Sequence, residues 1–155
     1  MQKPNLLSAE SAAIPDVLSL IQRSFAFMDG QIDPPSSMHR LTVDAIAEHC
    51  RRAEVWTLGT PITACIFLTP KPEVLYVSKL AVDEQQRGRG LARKLIQHAE
   101  IRAHALNLPA LELETRIELT ENHVTFDRMG FVKTAEAAHD GYTRPTFIIM
   151  RKPLG

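Results

Sequence analysis

Two cysteines, Cys50 and Cys65, are too few for a disulfide framework. Each sits among apolar or helix-like residues, as a small buried hydrophobe does. Net charge is also missing: 18 lysines and arginines balance 18 aspartates and glutamates, so no global field recruits nucleic acid or an anionic membrane. A charged ligand must therefore be met by a local cluster. No apolar run approaches the roughly 20 residues of a membrane-spanning helix. The opening MQKPNLLSAES lacks the apolar core of a signal peptide, so the expected location is the cytoplasm. There is no internal repeat and no low-complexity tract. The histidines show no metal-ligand spacing; His98 and His104 fall on different faces of one predicted helix.

What is present is the pattern of one globular domain spanning residues 1–155. A chain of this length buries roughly 68–70% of its unfolded surface, enough for a full core. IPDVLSLIQRSFAFM puts Ile14, Val17, Leu18, Ile21 and Phe25 on one helical face, with Pro15 in the first turn. DGQIDPPSSMHR reads as a loop. TVDAIAEHCRR reads as a short helix capped by Thr42. The period then changes. AEVWTL and ITACIFL form a hairpin about GTP; TPKPE turns into a longer strand over residues 74–82. A helix follows from about Gly90 to Leu106, stopped by NLP. ALELETRIEL alternates as a strand, ENHVTFDRMG is a short helix, and FVKTAEAA, HDGYTRP and TFIIMRKPL read as strand, turn and strand. The order predicts an α/β (α+β) fold with helices on both faces of a mixed, mostly antiparallel sheet. At its centre, a strand–helix–strand unit supplies one parallel pair.

One stretch breaks the ordinary rules of helix starts. QQRGRGLARKL, entering the central helix, carries Arg87, Arg89, Arg93 and Lys94, and no acid occurs from Gln85 through Ala99. Helix N-termini favour acids, because their dipole end is positive. Exposed N–H groups at a strand-to-helix turn bind anions, and Gly88 and Gly90 let the backbone approach one closely. Four cations at this place expect a phosphate. A nucleotide P-loop is excluded, since no Gly-Lys-Ser/Thr follows; the dinucleotide fingerprint is excluded, since Arg93 stands where its third glycine belongs. Two other readings remain: a bare tight turn with solvated arginines, and an Arg-Gly element for RNA. The latter usually comes in repeats within basic, disordered chains.

The surviving pattern, Gln85-x-x-Gly88-x-Gly90 followed by Leu91 and Ala92, resembles the pyrophosphate loop of the GNAT superfamily of acyl-CoA N-acyltransferases. SKLAVDEQQRGRGLARKLIQHAE is similar to that family's strand–loop–helix, ENHVTFDRMGFVKT to a later segment, and IIMRKPL to its final strand. The resemblance implies acetyl-CoA as co-substrate and no metal. It implies a pantetheine arm paired with the backbone of Leu80, Ala81 and Val82. It also implies a pyrophosphate on the N–H groups from Arg87 through Ala92 (Arg87, Gly88, Arg89, Gly90, Leu91 and Ala92), and an arm contact from Asn122. Arg87, Arg89 or Arg93 would add charge-assisted bonds.

The implied chemistry is attack of an amine on a thioester. An alkyl amine of pKa about 10.4 needs roughly 4.6 kcal/mol to be deprotonated at pH 7; protonating a thiolate leaving group of pKa about 8.5 is worth about 2 kcal/mol. The oxyanion needs a donor, most simply a backbone N–H near Val82. Many GNAT enzymes place a tyrosine general acid four residues before the glycine of the Gly-Phe pair. Here that position is Phe126. Tyr142 is the substitute singled out, with Tyr76 and Ser78 as others. For the base, Glu112 and Glu114 share one face of their strand, and His139 lies in the turn AHDGY; His139 and Tyr142 are the catalytic candidates taken forward.

The first two helices and the loop between them are expected to wall the acceptor cleft. Asp29 and Asp33 there could hold a cationic amine; Arg40 or Arg144 could hold a carboxylate. The acceptor class, small molecule or peptide, stays open, as does a homodimer of the kind many members form. The alternatives to an N-acetyltransferase are a non-catalytic CoA-binding sensor of the same fold, kept alive by Phe126, and a small RNA-binding domain.

Overall fold

The computed structural model describes residues 3–28 and 30–155. Asp29 of the expected acceptor loop lies outside the described residues. The elements are β1 (Asn5–Leu6), α1 (Ile14–Phe25), α2 (Val43–Arg52), β2 (Glu54–Leu58), β3 (Ala64–Pro70), β4 (Leu75–Val82), α3 (Leu91–Ala105), β5 (Ala110–Arg116), α4 (Thr120–Arg128), β6 (Val132–Ala137) and β7 (Phe147–Pro153). Single 3-10 turns lie at Ala26–Met28, Ser37–Arg40 and Glu84–Gln86. One sheet runs in the order β1-β2-β3-β4-β5-β7-β6, and every neighbouring pair is antiparallel except the central β4–β5 pair.

This is the mixed sheet the sequence predicts, with small differences. β1 was not expected; two residues carry too little periodicity to show in a sequence. β3 runs on through Thr69 and Pro70, which read as turn residues, because Pro70 sits at the strand's last pairing position where no ladder donor is needed. On α1 the buried residues are Ile14, Val17, Leu20, Ile21 and Ser24, so the buried stripe is rotated toward Leu20; Leu18 and Phe25 are only half-buried. The helix packs under the sheet and leaves Phe25 at the rim of a cleft. Cys65 is buried and Cys50 only partly so, both as free thiols.

Each face of the sheet has its own core. On one, Leu95, Ile96, Ala99 and Ala103 of α3 pack with Ile66, Leu75, Val77, Leu111 and Met150. On the other, Val17, Leu20 and Ile21 of α1 and Ile46 of α2 meet Val55, Phe67 and Ala81. The α2 start is fixed by the Thr42 hydroxyl, which accepts from the Ala45 N–H at 3.1 Å. Among the described residues no helix is long and apolar enough to cross a membrane.

A charged clamp fixes α3 to the sheet. Arg102 donates through Nε and Nη2 to the two carboxylate oxygens of Glu54 on β2, at 2.9 and 2.7 Å. The Trp56 indole donates to the same carboxylate at 2.7 Å. The Arg102 bonds hold the Glu54 carboxyl below its usual range. A carboxylate depressed in this way stabilises the fold fully above its unfolded pKa of about 4.3 and loses that contribution as pH falls through the lower folded value. Arg102→Ala is expected to cost about 2 kcal/mol and roughly 4–8 °C in Tm at pH 7. The gap to wild type should narrow as melts are taken down to pH 3; a gap independent of pH would detach the clamp from Glu54.

Candidate active site

β4 and β5 are paired only at Leu75–Leu111 and Tyr76–Glu112. Beyond Tyr76 they part. The cause lies in β4, where Cys65 pairs with Ala81 but Phe67 with Ser78, so three steps on β4 face two on β3. The extra residue makes a β-bulge, which bends its strand and increases local twist. Lys79 takes the strain at φ +48°, a left-handed conformation costing a non-glycine residue roughly 1–3 kcal/mol. The buried Cys65 thiol, its pKa pushed up to about 12 by desolvation, stays protonated and donates weakly to the Lys79 carbonyl at 3.6 Å. Between the parted strands opens a cleft of about 590 Å³.

At the inner end of the bent strand stands the Gly-Arg turn. Gly88 and Gly90 have φ of +82° and +76°, and a Cβ at either would meet no atom within 4 Å. The conformation, rather than crowding, selects glycine, and the N–H groups of residues 88–93 have no backbone acceptor among the described residues. Gly90 is the N-cap of α3 and offers no side chain to its first turn. Among the described residues Arg87, Arg89, Arg93 and Lys94 have no acidic partner; the Arg87 guanidinium lies 5.7 Å from the centroid of the Phe27 ring. Uncapped donors and unpaired cations fit a phosphate-bearing ligand. The β4 residues expected to meet its arm divide by side chain: Ala81 is buried, while Leu80 and Val82 are half-buried against the other core. The Val82 carbonyl accepts from the Ser24 hydroxyl of α1 at 3.2 Å. Asn122, in the first turn of α4, lines the cleft.

Phe126 also lines the cleft, its ring edge-on to Phe131 at 5.7 Å. No hydroxyl is supplied there. Tyr76 and Ser78 of β4 do line the cleft, and burial, then Glu114 and Glu112, push the Tyr76 phenol well above its ordinary pKa. It stays protonated and able to donate. Glu112 and Glu114, alike in sequence, are separated by the fold. Arg151 of β7 holds Glu112 at 2.8 and 3.2 Å, whereas Glu114 lines the cleft without such a partner among the described residues and is raised by desolvation against the opposing pull of Lys71.

His139 reaches the cleft wall. Its backbone N–H and its Nδ1 both engage the buried Thr146 hydroxyl. Burial and then Arg116 lower its pKa, so it is neutral at pH 7. Tyr142 is not part of that wall. Its hydroxyl donates to Asp33 at 2.6 Å, and Arg144 bonds the other carboxylate oxygen at 3.0 Å. The two residues proposed for opposite acceptor charges, Asp33 and Arg144, therefore satisfy one another. The 31–40 loop is held from a second side, since Arg116 donates to the carbonyls of Pro34 and Pro35. Four charged or titratable lining residues had no role assigned from sequence: His49, Lys71, Lys79 and Arg116. Nothing in their local sequence marks them, because the cleft assembles from α2, the β3–β4 turn, the bulge and β5. Among the described residues no group of three or more His, Cys, Asp or Glu could hold a metal.

The comparisons with known proteins agree on the architecture. The IAA acetyltransferase of Azospirillum brasilense is 27% identical over 154 residues, covering 97% of this chain and 99% of that protein. The crystal structure of the PaiA N-acetyltransferase of Thermoplasma acidophilum in complex with coenzyme A aligns over 99% of each chain with a TM-score of 0.81 at 12% identity. A GNAT family acetyltransferase from Elizabethkingia anophelis with acetyl-CoA bound aligns over 99% of this chain and 98% of that one, with a TM-score of 0.70 at 17% identity. The model of the acetyltransferase (GNAT) family matches residues 16–131. With three-quarters of its length under that model, and with the parted central strands and glycine turn in place, the chain belongs to the GNAT family of acetyltransferases.

Proposed function

We propose that residues 1–155 form one cytoplasmic N-acetyltransferase domain that moves the acetyl group of acetyl-CoA onto the amine of a small-molecule or peptide acceptor. The observation that carries the reading is the open edge of β4 leading into an uncapped helix start ringed by unpaired arginines. The N–H groups of residues 88–92 hold the pyrophosphate, the Arg87 N–H being engaged by the Glu84 carbonyl at 3.4 Å, and the backbone of Leu80, Ala81 and Val82 with Asn122 holds the arm. The thioester carbonyl then lies at the bulge.

Acceptor nitrogen forms its bond to the acetyl carbon, the carbon–sulfur bond breaks, and one proton passes overall from amine to thiolate. Glu114 takes the amine proton, directly or through a water. His139, neutral and close to Arg116 and Phe147, is the second candidate for that task. Tyr76 fits the acid task that Phe126 cannot perform; the Tyr142 hydroxyl instead holds Asp33 of the 31–40 loop. A non-catalytic CoA sensor remains the second reading, and Phe126 is the observation that favours it.

Thermal shifts with acetyl-CoA, CoA and ATP in parallel test the cofactor. At a hundredfold excess over Kd a specific ligand adds about 2.7 kcal/mol. Both CoA species should raise Tm and ATP should not; Gly88→Glu should remove the shift while the apo melt stays cooperative. A variant that binds CoA unchanged would dismiss the phosphate-loop reading.

For the chemistry, Glu114→Gln is expected to lower kcat about a hundredfold. In wild type the rate should rise as pH climbs through the raised Glu114 pKa, and the variant should lose that limb. His139→Ala should cost less, and Tyr142→Phe should act mainly on KM. Wild-type turnover in Glu114→Gln would return the base to His139. No thiol release with any amine, nor with IAA, would favour the sensor.

A further inference from the structure

Building on the acyl-transfer reading, we propose that the acceptor carries a carboxylate close to its amine and that Lys79 binds it. Among the described residues the acceptor side of the cleft is lined by three cations, Lys71, Lys79 and Arg116, against one carboxylate, Glu114. Arg116 is committed to the carbonyls of Pro34 and Pro35. Lys71 lies over the Tyr76 ring, 4.2 Å from its centroid, and acts on Glu114. Lys79 is different. It is half-buried, its ammonium stands 5.2 Å from the Phe67 ring, and among the described residues no acid pairs with it.

The neighbours of Lys79 do not relieve it. Among the described residues the charged or titratable groups acting on it and its surroundings are the neutral Cys65 thiol, His49 and, on His49, the further cation Arg52. His49 is lowered by burial first and by Lys79 second, and its Nε2 finds no partner among the described residues. A desolvated cation without a counter-ion is costly, and here it is built on a residue already strained at φ +48°. An anionic group delivered by the acceptor would satisfy it.

Position narrows the acceptor further. Lys79 is the bulge residue itself, so the anion it binds lies within a lysine side chain's length of the reacting carbonyl. That geometry suits a free amino acid, whose carboxylate and amine are a few bonds apart. It disfavours polyamines, whose second cation would face Lys71, Lys79 and Arg116 together.

The test pairs each L-amino acid with its carboxamide, with spermidine as a cationic control. Binding to the CoA-saturated protein is measured by calorimetry, and thiol release from acetyl-CoA is measured separately. The expected result is at least one amino acid favoured over its carboxamide by about tenfold or more, with spermidine weakest. Lys79→Met should bring that ratio close to one, and Lys79→Arg should restore most of it; cooperative melts establish that both variants are folded. Equal use of carboxylates and carboxamides, preference for spermidine, or a ratio unchanged in Lys79→Met overturns the proposal. Carboxylate-selective binding without thiol release would leave the Lys79 site standing and defeat the acyl-transfer reading. Thiol release without carboxylate preference would do the reverse.

Discussion

One extra residue in β4 separates two strands that would otherwise zip together. Parallel β4 and β5 pair at Leu75–Leu111 and Tyr76–Glu112 and then diverge, because the bulge at Lys79 bends β4 away. The strained Lys79 backbone is held by the ladder to β3 on one side and by the Cys65 thiol on its carbonyl. The open edge of a central strand is a row of unmet donors and acceptors. In most sheets this is a liability. Here both cores flank the gap, so it stays open as a cleft instead of collapsing.

Charge is then divided along β4. At the α3 start the cations are backed by helix N–H groups and have no acidic partner among the described residues, an arrangement suited to phosphate. At the α1–α2 end, Lys71, Lys79 and Arg116 share the wall with Glu114, Tyr76 and two neutral histidines. That wall can hold an anion and can accept a proton from a neighbouring amine. The Arg102–Glu54 clamp keeps α3 on the sheet and so keeps the two ends in register.

Local features were legible in the sequence. The glycine turn could be read because a strand-to-helix junction with four cations and no acid is a contiguous pattern. The parallel pair followed from strand–helix–strand order, and the Thr42 cap from one residue type at one position. The bulge was invisible, since a register shift is a relation between β3 and β4 and not a property of either. Glu112 and Glu114 could not be told apart until β7 supplied Arg151 to the first. The Tyr142 hydroxyl bonds Asp33, 109 residues away, a contact that no local pattern shows. The rotation of the buried face of α1 toward Leu20 is likewise set by what it packs against.

The central claim is that the parted edge of β4 and the α3 start act together as the cofactor seat. Backbone hydrogen exchange with and without saturating CoA tests it most directly. The account predicts slowed exchange at residues 80–82 and 88–93 together, with the edge strand β6 unchanged. Slowing confined to other segments, or none in residues 88–93 at saturation, would contradict it.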